Sequence, residues 1–278
     1  MTLFWLVFSV YVGAIALIVL LSYAIALYEA ASTDPQLVEH RFAPGQIWLA
    51  IKLMAAETAF LALTVVLHPL GWIPFKEQPR PENRETPIIL LHGLFHNRAC
   101  WLWMKFRLRR KGFPNLITIN LPPWKNVETL TERVVTKVDE LRVKEGFERV
   151  HLVGHSMGGI IARNYVQIRG GASKVESCIL LGAPNLGSKL APFAVSHLGR
   201  QLMPGSEFLK RLAQTPLPAG VSMVSIFTRH DNMVLPPTNA RLEGAINEEI
   251  QGMGHTSLLY HPRAIHAVVE TLSRKKIP

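Results

Sequence analysis

The stretch from Arg149 to Gly171, RVHLVGHSMGGIIARNYVQIRGG, leaves a chain few ways to fold. Val150, Leu152 and Val153 are spaced as in a strand. Ile160, Ile161, Tyr165 and Ile168 then recur three or four apart, the spacing of one helix face. Between them lies Gly154-His155-Ser156-Met157-Gly158, so a strand turns sharply into a helix with a serine at the turn. Gly154 and Gly158 let strand and helix pass at close range and tolerate backbone angles that a side chain would forbid. The serine hydroxyl then stands above the C-terminal edge of a sheet. It sits at a helix N-terminus, whose free N–H groups favour negative charge. A serine that merely caps the helix would need the same residues, so its role depends on what else the chain supplies.

From residue 87 onward the chain repeats strand and helix in alternation. PIILLH (87–92) and LITINL (116–121) read as strands, the second broken by Pro122-Pro123. A helical period runs through Val127, Leu130, Val134, Val138 and Leu141 and stops at Gly146. Further strands are expected over 175–181, 221–228 and 245–253, and a closing helix over 262–273. Between 184 and 218 no strand pattern is present. Short amphipathic helices separated by Pro204-Gly205 suit a small lid or the wall of an acyl pocket. Alternating βα units imply a mostly parallel, doubly wound α/β sheet. Residues 101–111 place Trp103, Phe106 and Leu108 among Lys105, Arg107, Arg109, Arg110 and Lys111. That is a helix facing the core on one side, or one whose basic, aromatic side touches anionic head groups.

The head of the chain differs in kind. Residues 1–28 carry no charged side chain, and the run from about 3 to 28 is long enough to cross a bilayer. No Lys or Arg precedes it and it is too long for a cleaved signal, so a transmembrane helix is expected. A second apolar segment, about 47–73, has Trp48 and Trp72 at its ends as interfacial anchors. It reads as a second span, with a helix in the interface plane as the alternative. Glu57 lies inside it, where an unpartnered carboxylate at mid-membrane would be costly. The loop between holds Glu29, Asp34, Glu39 and Arg41, and Lys76, Arg80 and Arg84 follow the second segment. With two spans this bias favours the cytoplasm for the following domain, and with only the first helix spanning the domain would lie on the opposite side from the N-terminus. The expected organisation is a membrane anchor over 1–73, a polar linker over 74–86 and a catalytic domain over 87–278.

The net charge is +10, and of the 30 Lys and Arg only Arg41 and Lys52 precede Pro74, so the excess lies beyond the apolar head. A basic surface suits nucleic acid or anionic lipid. The apolar head favours lipid, and nothing else in the chain supports nucleic acid. Two cysteines, Cys100 and Cys178, make no disulfide framework and no Cys/His zinc pattern.

A serine nucleophile at neutral pH needs a base, and the base a carboxylate to orient it. The chain has three aspartates, Asp34, Asp139 and Asp231, and only Asp231 follows Ser156, just past a strand end. Glu243 is a fallback carboxylate. Of His197, His230, His255, His261 and His266, His255 alone lies in a loop after the last strand, while His230 precedes Asp231 and breaks the order Ser, Asp, His. His255 would take the Ser156 proton, Asp231 would hold the imidazole, and an ester carbonyl would be attacked without a metal or organic cofactor.

PIILLHGLFHNRACW, HLVGHSMGG, LGAPNLGS, MPGSEFLKRL, SIFTRHDNMVLP and GMGHTSLLYHP together resemble the α/β-hydrolase lipases of bacteria, especially the small triacylglycerol lipase group. The resemblance covers most of the chain from Pro87 on. It implies backbone N–H groups of Leu94 and Met157 as the oxyanion hole and an activity on acyl esters, as lipase, esterase or phospholipase. The familiar members are secreted, whereas this chain has an apolar head. That shifts the expected substrate to membrane lipids or lipid-derived esters and the expected place to the bacterial cytoplasmic membrane. An acyltransferase or thioesterase on the same fold, and a non-catalytic lipid-binding module, remain alternatives.

Overall fold

A computed structural model of the protein describes residues 2–33, 36, 39–74, 77–79 and 84–274. Asp34, Lys76 and Arg80, used above in the charge argument, and part of the expected linker lie outside the described residues. Six strands form one sheet: β1 (Ile88–Leu91), β2 (Leu116–Ile119), β3 (Val150–His155), β4 (Val175–Leu181), β5 (Ser222–Phe227) and β6 (Ile246–Glu249). Their order is β2-β1-β3-β4-β5-β6, and every pairing is parallel. The inner strands are continuous apolar runs because both faces are covered. Ile89 and Leu91 face one core layer while Ile88 and Leu90 face the other.

The first layer is closed by α4 (Val127–Val143), α5 (Met157–Gln167) and α7 (Glu207–Gln214), the second by α3 (Leu102–Arg109) and α8 (Pro262–Ser273). α6 (His197–Gln201) lies with α7 in the stretch expected as a lid. That stretch leaves Leu186, Phe193, Val195 and Met203 exposed. The last strand is shorter than the pattern of 245–253 suggests. β6 stands at the sheet edge, where its exposed side chains include Glu249, and charge on an edge strand discourages further pairing. α3 faces the core on one side, as the first reading expects. Met104 and Leu108 are buried, while Trp103 and Phe106 face outward under the guanidinium groups of Arg107 and Arg110. The buried Lys105 pairs with Glu77, which also receives the Thr118 N–H and hydroxyl.

The apolar head forms α1 (Thr2–Thr33) and α2 (Pro44–Leu67). Proline at the first position of α2 suits a helix start. Pro69 has no N–H to continue the helix, and residues 68–72 tighten into a 3-10 turn. Both helices are long and apolar enough to cross a membrane. They fold back on each other, with the Tyr11 hydroxyl donating to the Ala62 carbonyl at 2.6 Å. One side of the pair packs on the sheet domain. Phe60 stacks on Tyr260 at 5.1 Å, Thr64 shares a 2.7 Å hydrogen bond with the Tyr260 hydroxyl, and Glu29 pairs with Lys189. Glu57 is only 1% exposed and lies in this contact. The other side leaves Phe4, Trp5, Ile18 and Leu20 of α1 and Trp48 and Val66 of α2 uncovered.

Candidate active site

Ser156 stands between the end of β3 and the first residue of α5, at φ 54° and ψ −124°. A non-glycine residue in this region is strained and persists where the surroundings over-determine it. The two glycines of the turn supply that constraint. A Cβ on Gly154 would lie 2.5 Å from the Gly158 carbonyl carbon, and one on Gly158 would lie 2.6 Å from that of Leu91. Strand and helix therefore touch backbone to backbone, and the serine is forced outward. Its N–H donates to the Leu181 carbonyl at 2.9 Å. Met157 begins α5, so its N–H has no intrahelical acceptor and stays available beside Ser156.

The turn after β1 lies against the serine: a Cβ on Gly93 would be 3.1 Å from the Ser156 Cβ. Leu94 follows in that turn. His92 ties it down, because its Nε2 accepts the Leu121 N–H at 2.8 Å, which leaves Nδ1 to donate to the Gly93 carbonyl at 2.8 Å. Burial pushes the His92 pKa down to about 4, opposed by that hydrogen bond, so the ring stays neutral in this tautomer.

Asp231 follows β5 and His255 follows β6. The two are joined by a hydrogen bond of 2.8 Å between His255 Nδ1 and Asp231 Oδ2, and both are buried. The other carboxylate oxygen, Oδ1, accepts the N–H groups of Met233 and Val234, each at 2.8 Å. Asp231 thus closes its own loop and holds the histidine, and the turn role does not compete with the other. Burial alone would lower the His255 pKa. The charge of Asp231, the hydrogen bond to it and the charge of Glu57 outweigh burial and raise it above 6.5. Gly182 links the serine side to the histidine side: it follows Leu181, and a Cβ there would lie 3.3 Å from His255 Nδ1. Ser156, Asp231 and His255 thus stand past the C-terminal ends of β3, β5 and β6.

His155 packs its ring 4.7 Å from that of His255, and its Nε2 lies 3.1 Å from the His255 carbonyl, a donor's place. Burial and the neighbouring His255 and His96 hold its pKa well below 6.5, so it contributes a neutral ring. The remaining candidates lie elsewhere. Glu243, His197 and His266 are exposed, His230 accepts the Gly252 N–H, and His261 caps α8. Asp139, on α4, pairs with Lys174 just before β4. Among the described residues no cluster of His, Cys, Asp or Glu is arranged to hold a metal ion.

Sequence reasoning did not find His92, His155, Asn232 or Glu57 at the site. His255 donates its N–H to Asn232 Oδ1 at 3.2 Å, and Glu57 receives the backbone just beyond the histidine. Only Glu57 left a signal, a carboxylate inside an apolar stretch, which requires a partner.

This arrangement has relatives. A model of the alpha/beta hydrolase family matches residues 88–230, and the chain belongs to that family. A triacylglycerol lipase of Pseudomonas fragi is 28% identical over 150 residues, 52% of this chain and 47% of that protein. The chain thus spans about half the length of this curated relative. Among solved structures, the mature lipase BlEst2 of Bacillus licheniformis superposes with a TM-score of 0.60 at 21% identity, covering 72% of this chain and 96% of that one. Lipase B of Aspergillus fumigatus gives 0.59 at 16% identity, over 73% and 56%. These two likenesses establish the fold.

Proposed function

We propose that the protein is a membrane-associated serine hydrolase that cleaves carboxylic esters of lipids. The observation that carries this reading is the Asp231–His255 pair set beside a serine held in a strained strand-to-helix turn. Ser156 is the nucleophile, His255 the base and Asp231 the group that fixes the imidazole tautomer. The Ser156 oxygen attacks the ester carbonyl while its proton passes to His255 Nε2. The N–H groups of Met157 and Leu94 receive the negative oxygen, each such donor being worth about 3 kcal/mol. Collapse breaks the bond to the alcohol oxygen, which leaves with the proton from His255. Water, deprotonated by the same histidine, then releases the acid and restores the serine. The relative from Pseudomonas fragi, a triacylglycerol lipase, supports the ester chemistry.

The chain divides, on this reading, into a helical membrane unit over 1–73, a linker over 74–86 and the hydrolase domain over 87–278. The stretch 184–218 is a lid or acyl-pocket wall whose exposed Phe193 and Val195 meet lipid. The head supports a place at the membrane, with the hydrolase domain docked along the helix pair from Glu29 to Thr64. Because α2 is docked along Glu57, Phe60 and Thr64, lipid reaches the pair from its uncovered side. The substrate is therefore an ester presented by the bilayer, a neutral glyceride or a phospholipid.

Release of p-nitrophenol from esters of graded acyl length tests the chemistry. Turnover is expected, and its kcat/KM falls on the acid side with a midpoint above pH 6.5, because His255 must be neutral to accept a proton and its pKa is raised. Absence of turnover across the whole series from folded protein overturns the reading. Partition of the acyl group between water and an added alcohol separates a hydrolase from an acyltransferase. In membranes washed at alkaline pH the full chain is expected to stay in the pellet. Its complete release would overturn insertion of the helix pair.

A further inference from the structure

The contact between the apolar head and the hydrolase domain falls on the loop that carries His255. Residues 256–259 form a single 3-10 turn directly after the histidine. The first N–H groups of such a turn have no partner within it and are usually received by a side chain just before it. Here the acceptor comes from α2. Glu57 Oε1 receives the Thr256 N–H, and Oε2 receives the Ser257 N–H at 3.0 Å and the Ser257 hydroxyl at 2.6 Å. The residue before the histidine, Gly254, has no room for a side chain: a Cβ there would lie 2.5 Å from both Glu57 Oε2 and the Tyr23 hydroxyl oxygen. The histidine's own N–H goes to Asn232, whose amide donates to the Ser22 hydroxyl at 2.7 Å. Both flanks of His255 are therefore held by α1 and α2.

We propose that Glu57 is a positioning residue for His255, so that the helix pair is a working part of the active site as well as an anchor. Its carboxylate fixes the backbone of the His255 loop from the C-terminal side and sets a negative charge near the imidazole. The proposal rests on the reading of His255 as the base. The ionisable groups facing His255 are Asp231 from the β5 loop, Glu57 from α2, Tyr23 from α1, His155 from β3 and His96 from the β1 loop. Of these Asp231 and Glu57 are the carboxylates, and both favour the protonated imidazole.

The test uses the full chain in detergent or vesicles, with kcat, KM and the pH profile read on a p-nitrophenyl ester and thermal unfolding read alongside. Glu57→Gln keeps the shape and removes the charge. It is expected to lower kcat about 10- to 100-fold through misplacement of the base. KM stays within about twofold, and the acid limb of kcat/KM moves to lower pH. Glu57→Asp keeps the charge at shorter reach and restores the limb more than the rate. Thr64→Val removes a hydrogen bond of the same helix to the Tyr260 hydroxyl while the bonds of Glu57 to Thr256 and Ser257 stay in place, and both kcat and the limb are expected to stay as in the wild type. A folded Glu57→Gln with wild-type kcat and an unmoved limb overturns the proposal. So does an equal loss in Thr64→Val, which would reduce Glu57 to docking. If Glu57→Ala fails to fold, the Gln and Asp variants still decide. Ser156→Ala separates the two levels: full turnover there sinks the serine reading, whereas a dead Ser156→Ala beside unchanged Glu57 variants sinks only the positioning role.

Discussion

Ser156→Ala is expected to lower kcat for ester hydrolysis by about 10,000-fold or more, with the unfolding midpoint almost unchanged. The two halves of this expectation have separate causes. The serine oxygen is the only atom removed, and without it no acyl-enzyme forms. What remains is the pull of the Met157 and Leu94 N–H groups on a carbonyl attacked by water, a modest residue of catalysis. Stability holds because alanine must adopt the same φ of 54° as serine did, so no strain is added or relieved. The Ser156 side chain caps nothing in α5, so no helix cap is lost. The measurement is turnover at saturating ester together with a thermal scan. Retention within about tenfold of wild type would mean that another group carries the attack.

Asp231→Asn is expected to cost roughly as much, about 10,000-fold in kcat, by a different route. One oxygen can still accept the Met233 and Val234 N–H groups, so the loop keeps its shape. The new amide then faces His255 Nδ1 as a donor. The imidazole must answer as an acceptor on that side, which puts its proton on Nε2, where the serine proton should go. The base is present but in the wrong tautomer. The Asp231 charge does most to hold the His255 pKa up against burial, so without it the surviving activity shows an acid limb at lower pH than the wild type. KM should change little, since Asp231 is buried behind the histidine. A rate within about tenfold of wild type would show that the carboxylate is a loop residue alone.

The hydrolase domain was largely legible in the sequence because its strands are short apolar runs closed by turn residues. A parallel sheet covered on both faces demands that composition. Ser156, Asp231 and His255 could be singled out because each sits past a strand end and because the chain offers few rivals, with one aspartate after the serine. The edge of the sheet was less legible: Asn247, Glu248 and Glu249 in β6 have no buried face to write a pattern. Least legible was the role of the head. Its composition is that of a lipid-facing helix, and the residues that turn toward the hydrolase domain, Ser22, Glu57 and Thr64, are too few to disturb that signal. Glu57 could be recognised as anomalous, but its partners are backbone N–H groups of Thr256 and Ser257, and backbone groups leave no trace in a sequence.

The same contact has a consequence for how the protein is made. Synthesis delivers α1 and α2 first, yet the groups that satisfy their polar side arrive 160 to 210 residues later: Lys189 for Glu29, Thr256 and Ser257 for Glu57, Asn232 for Ser22. Until then Glu57 lacks the backbone donors that satisfy it in the folded chain, a costly state for a carboxylate in an otherwise apolar helix. Docking of the head is therefore completed by the last part of the chain, and a chain shortened to the hydrolase domain would be born with the Thr256 and Ser257 amides beside His255 uncovered.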